Sequence, residues 1–259
     1  MNEFMRYITE NVYFFMLIFL RVSSAITVSP LFGRKNLPNI FKLGLSLAIS
    51  FLIYPFISVE NLYNYSKDAL LIIGIKEVFI GVFIGMIMDI IFNVALTAGS
   101  FMDVQIGFAM ARVVDPNSGG RVSITGNFFN IISLLVFITI NGHYEILKAI
   151  INSFRVFPLD RLIRLNSNYF YFVIELFDFI MNISIRIAIP IILALFLTNL
   201  VLGVMARTIP QMNVFVVGMP LKILVGVAIL IIAMPFYLPI FREIYFKMIK
   251  YVFTFLNSV

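Results

Sequence analysis

The stretch ALLIIGIKEVFIGVFIGMIMDIIFNVALTA, residues 69 to 98, decides the fold. A straight helix crosses the hydrocarbon of a bilayer in about 20 residues, so this apolar region is too long for one crossing. It also carries Lys76, Glu77 and Asp89. A charge facing lipid at mid-depth costs about 2.5–3.5 kcal/mol on insertion scales. The segment therefore predicts a broken helix whose charges face protein. Gly81 and Gly85 form a GxxxG pattern, which puts two glycines on one helix face and lets another backbone approach. Ala95, Ala98 and Gly99 extend a small-residue surface beyond it.

The rest of the chain reads the same way. Of 259 residues, 61% are hydrophobic and 12% are charged. Soluble domains hold about 45–50% apolar and about 25% charged residues, so lipid or other apolar protein must cover much of this surface. There is no cysteine, which excludes disulfides, thiolate metal sites and thiol catalysis. The single histidine, His143, excludes a His-rich metal site. The net charge of +6 suits anionic lipid head groups, and no soluble basic face is available for nucleic acid. No GxSxG, P-loop, HExxH or paired-carboxylate loop motif is present, so neither an enzyme nor a cofactor is expected. VSSA, at Val22 to Ala25, loosely resembles a signal-peptide cleavage site, but Glu3, Glu10 and Arg21 argue against a leader.

Six apolar regions follow one another: about 12–32, 43–57, 69–98, 124–140, 170–205 and 214–241. Pro30, Gly33 and Pro38 break the first connection, and Asn141-Gly142 ends the fourth region. The fifth region is again too long for one span and holds Glu175, Asp178 and Arg186. The sixth holds Lys222 and ends in a basic tail with Arg242, Lys247 and Lys250. The expected fold is all-α, an integral membrane-associated protein with about six long, partly broken apolar helices forming hairpins and no sheet. A single domain over residues 1–259 is expected, with a central loop at about 103–123. Lys and Arg do not alternate cleanly between successive loops, so no simple orientation follows.

The ionisable residues inside apolar regions are of both signs and suit ion pairs within the protein or with partner subunits. Glu175 and Asp178 lie one turn apart and suit pairing with Arg186 or a partner better than a cation site. Asn93, Asn127, Asn130 and Asn199 suit interhelical hydrogen bonds. His143 suits a capping or interfacial place at a helix boundary. The stretch GFAMARVVDPNSGG, Gly107 to Gly120, begins like a buried helix and ends like a loop. From these residues alone, an ordinary linker and a movable apolar seal both remain open.

Four runs carry a family resemblance. SPLFGRKNLPNIFKLGLSLAIS (29–50), AGSFMDVQIGFAMARVVDPNSGGRVSITGNFFN (98–130), SFRVFPL (153–159) and MARTIPQMNVFVVGMPLKILVG (205–226) resemble the FliR family of flagellar type III export-gate proteins. The Asp103-x-Gln105-x-Gly107-Phe-Ala-Met-Ala run and the Pro-Gln-Met-Asn213-Val-Phe run are its specific parts. GFAMA favours the flagellar branch over the related injectisome (virulence) proteins. The resemblance implies a gate subunit that works with the FliP and FliQ proteins, beside the FlhB and FlhA proteins. Its place would be the bacterial inner membrane at the flagellar basal body, where unfolded flagellar proteins are exported. It further implies that the central loop plugs the closed channel. Phe108, Met110, Val113 and Val114 would supply a soft apolar seal, and Gly107, Gly119 and Gly120 a backbone able to move aside. Arg112, Asp115 and Pro116 would belong to its polar end. The remaining readings are a small secondary transporter and a membrane scaffold without a channel.

Overall fold

A computed structural model of the chain describes residues 2–34, 36–57, 67–109, 123–160, 168–209, 211 and 213–258. The described residues hold helices α1 (Asn2–Val28), α2 (Asn39–Ile53), α3 (Lys67–Phe92), α4 (Val94–Ile106), α5 (Ile124–Thr139), α6 (Gly142–Val156), α7 (Asn168–Thr208) and α8 (Val214–Ser258), with a short 3-10 turn at Tyr54–Phe56. No strand occurs among them. Five stretches are long and apolar enough to cross a membrane, and the bent pair α5–α6 makes six.

The 69–98 region is broken as its length requires. Asn93 separates α3 from α4, and α4 runs on to Ile106. Gly107 then closes α4 in the left-handed conformation, at φ 100°, which favours glycine. Ser123 opens α5 by accepting the Gly126 N–H at 2.8 Å, a standard N-cap. Asn141, also left-handed at φ 57°, is the N-cap of α6.

Two expectations are corrected. The fifth apolar region, too long for one span, is not broken, and neither is the sixth. Helix α7 runs for 41 residues through Pro190, and α8 for 45 residues through Pro220, Pro235 and Pro239. Proline inside a helix removes one backbone bond, and in apolar surroundings neighbouring groups can satisfy what it frees. The basic tail is not a tail either: Arg242, Lys247 and Lys250 lie on α8. Their helix continues because Ile244, Tyr245, Met248, Val252, Phe255 and Leu256 bury its opposite face. At 1.5 Å per residue, α7 is about 60 Å long, twice the hydrocarbon thickness of about 30 Å.

The chain folds as two compact units, each built from separate stretches. The first comprises residues 1–91, 141–174 and 246–259. Its core joins Ile18, Val22 and Ala25 of α1 to Ile80, Ile84 and Ile87 of α3 and to Ile146 and Ile150 of α6. Gly81 and Gly85 pack against α1: a Cβ on Gly85 would stand 2.8 Å from the Ala25 carbonyl oxygen. The GxxxG pattern therefore joins helices within this chain. The second unit comprises residues 92–140 and 175–245. Its aromatic core includes Phe129 against Tyr237 and Phe137 against Tyr245, with ring centroids 5.0 and 4.8 Å apart. Helices α4 and α5 form an antiparallel hairpin. A Cβ on Gly99 would stand 2.7 Å from the Thr125 carbonyl carbon, and one on Gly126 2.7 Å from the Leu96 carbonyl oxygen.

Gly99→Leu is expected to force this hairpin apart and to destabilise the chain by about 1–3 kcal/mol, the usual cost of overpacking. Gly44→Ala on α2, where a Cβ meets nothing within 4 Å, should stabilise it by about 0.5–1 kcal/mol. Unfolding of the purified protein in mixed detergent checks both signs.

Candidate functional site

The central loop leaves α4 at Gly107 and returns at Ser123, and one carboxylate holds both ends. Asp103, in the last turn of α4, is fully buried. Its Oδ2 accepts the Ser123 hydroxyl at 2.6 Å and the Ile124 N–H at 2.8 Å. Its Oδ1 accepts the Thr125 N–H at 3.1 Å. These N–H groups open α5, where the helix dipole favours negative charge. The Asp103 carbonyl also accepts the Gly107 N–H at 3.1 Å. Residue 103 therefore closes one helix and starts the next.

The first unit holds a second buried ionic cluster. Glu77, at 0% exposure, accepts from Arg21 Nε at 2.5 Å and pairs with Lys76 Nζ at 3.0 Å. Arg21 Nη1 donates to the Ser153 and Phe157 carbonyl oxygens at 3.1 and 2.8 Å. Lys76 donates to the Leu159 carbonyl oxygen at 2.5 Å. The Phe154 ring lies 4.3 Å from the Arg21 guanidinium carbon, within cation–π range. Carbonyls at and just beyond the end of α6 accept from the two cations: Phe157 and Leu159, and Ser153, which also accepts the Phe157 N–H at 2.8 Å. The pairing expected for Lys76 and Glu77 is therefore found within the chain. Arg21 was missed as their partner. The available signal was a charge in the middle of the apolar first helix.

The other candidates fall out differently. Gly107 is the cap of α4, and Phe108 is helical and half-buried. Met110, Arg112, Val113, Val114, Asp115, Pro116, Gly119 and Gly120 lie outside the described residues. Asp89 and Gln105 are half-buried. Glu175, Asp178 and Arg186 are all exposed on α7. No ion pair joins these carboxylates to Arg186 among the described residues, and Asp178 instead accepts from Asn182 Nδ2 at 2.9 Å. Asn213 is an exposed helix cap, its Oδ1 accepting the Phe215 N–H at 3.1 Å. Asn127 is exposed, and the Asn130 side-chain oxygen is buried without a partner, so neither oxygen-rich amide shows the interhelical bond expected of it. Asn93 sits at the break before α4. His143 is half-buried in the first turn of α6, its ring 4.5 Å from that of Tyr144. Lys222 lines a groove of about 410 Å³ within the second unit, together with Gln105, Gly107 and Asn199.

Among the described residues the chain is helical, with five helices long and apolar enough to cross a membrane, which defines a class of membrane-embedded helical protein. Residues 12–248 match the model of the family described as bacterial export proteins, family 1. The flagellar biosynthetic protein FliR of Bacillus subtilis (strain 168) is 32% identical over 233 residues, covering 89% of this chain and 90% of that protein. FliR of Escherichia coli (strain K12) is 31% identical over 239 residues, covering 91% and 90%. FliR of Aquifex aeolicus (strain VF5) is 30% identical over 224 residues, covering 85% and 84%. The chain belongs to this family, the FliR family of bacterial export proteins.

Removing one member of a buried ion pair costs about 3–5 kcal/mol, because its partner is left charged and dry. Glu77→Leu and Arg21→Met should therefore each be costly, and the double variant should cost less than the sum of the two. A double-mutant cycle on detergent-solubilised protein measures the coupling. Asp103→Asn should cost about 1–3 kcal/mol, since an amide turns a donor toward the N–H groups and the hydroxyl that the carboxylate satisfied.

Proposed function

We propose that the chain is a non-enzymatic subunit of the flagellar type III export gate. It acts as one domain in the bacterial inner membrane at the basal body. There it assembles with the FliP and FliQ proteins, beside the FlhB and FlhA proteins, and helps form and seal the channel for unfolded flagellar proteins. The observation that carries this reading is the family match over most of the chain, with relatives whose names are flagellar. Those names favour the flagellar branch over the injectisome.

The surface supports an obligate assembly. In the most apolar 18-residue windows of the Phe170–Thr208 and Val214–Asn257 stretches, only 28% and 11% of residues are buried within the chain. Helices twice as long as the hydrocarbon is thick place part of that apolar surface beyond simple lipid cover. In this reading the loop from Gly107 to Gly120 is the seal. Its apolar residues close the channel, its glycines let it move, and the Asp103 clamp keeps its ends in place.

Deleting the gene should abolish filament export and motility and leave general secretion intact. A motile deletion strain with normal filaments contradicts the proposal. Removing Met110 to Ser118 should preserve complex abundance, since loops tolerate deletion better than packed helices, and should raise ion conductance through the resting complex. Normal abundance without a leak rejects the seal.

A further inference from the structure

We propose that the Lys222 groove receives an apolar helix from another membrane subunit, and that this helix carries one carboxylate, which pairs with Lys222. The inference rests on the gate reading and assigns one of its contacts. The groove lies wholly within the second unit, between the end of α4, residues 199–203 of α7 and the start of α8.

Three observations converge on it. The first is charge. Lys222 is half-buried, and no carboxylate lies within ion-pair distance among the described residues. Asp103 is occupied by the start of α5. Asp178 lies about 30 Å from Asn199 along α7, and Glu243 about 30 Å from Lys222 along α8, at 1.5 Å per residue. A lysine among apolar walls is costly unless a counter-charge arrives from outside.

The second is close approach. Gly203 is exposed near the C-terminal end of α7, and a Cβ there meets nothing within 4 Å. Glycine in a helix interior costs about 0.5–1 kcal/mol relative to alanine, and this chain's own packing gives no reason for it. Small residues at such a position let a second helix backbone come near. Gly218 faces the same groove from α8.

The third is the lining. Val104 and Phe215, which line the groove, expose 65% and 66% of their surface. Gln105 and Asn199 stand inside it and can donate to a carboxylate oxygen. Lipid tails would cover the apolar rim but would neither neutralise Lys222 nor require a glycine at 203. A carboxylate-bearing helix accounts for all three features.

The test uses the full chain co-expressed with the other basal-body membrane proteins and recovered as a complex. Gly203→Leu fits the chain's own fold, so its abundance in the membrane should not change. The variant should nevertheless lower recovery of the complex roughly tenfold, the scale of a lost buried contact. Lys222→Glu should lower it at least as much and Lys222→Arg little, because the pairing is one of charge. A photo-reactive side chain at Phe215 should form an adduct with a second subunit, mapped to an apolar helix containing Asp or Glu. Replacing that acid with lysine should restore assembly of Lys222→Glu. Wild-type recovery of both Gly203→Leu and Lys222→Glu overturns the assignment. So do adducts formed only with lipid, where Lys222 would snorkel, or only with the chain itself. Export in the deletion strain is read separately, so loss of the gate reading is distinguishable from loss of this contact.

Discussion

The buried Asp103 carboxylate is the constraint on which the central part of the molecule depends. It accepts two backbone N–H groups and one hydroxyl at the start of α5 while its own carbonyl closes α4. Such burial is tolerable because the carboxylate accepts from backbone N–H groups at the helix start that would otherwise be orphaned. The close approach at Gly99 and Gly126 continues the same fixation four residues along each helix. The chain between Gly107 and Ser123 thus starts and ends at a fixed stem.

The Arg21–Glu77–Lys76 cluster solves a different problem in the first unit. Three helices meet there, and carbonyls at and just beyond the end of α6 accept from both cations. Two cations bound to one carboxylate leave charge over, and the carbonyl dipoles and the Phe154 face absorb it. Such a cluster is weak as a source of net stability but demanding in geometry. It permits only one arrangement of α1, α3 and α6. Specific packing matters in a chain whose outer surface is nearly uniform in its apolar character.

Much of this was legible in the sequence. The fourth apolar region, read as 124–140, is α5 at Ile124–Thr139. Gly81 and Gly85 pack as a GxxxG pattern should, and the family runs were recognisable before any fold was known. What escaped has physical causes. Arg21 and Glu77 lie 56 residues apart, and no periodicity links residues that meet only in three dimensions. The long fifth region read as broken because one crossing needs only about 20 residues, yet that length limits a span and not a helix. Asn213 precedes an apolar run and had the signature of a helix cap, but its place among other buried-looking polar residues obscured it.

The account holds that this chain is complete only in company. The most direct measurement is native mass spectrometry of the chain purified in mild detergent, expressed alone and with the other basal-body membrane proteins. The account predicts aggregated or heterogeneous material from the chain alone, and from co-expression a hetero-oligomer of fixed composition containing it. A monodisperse chain that, reconstituted alone, moves a small solute across vesicles would contradict it and would make the protein a transporter in its own right.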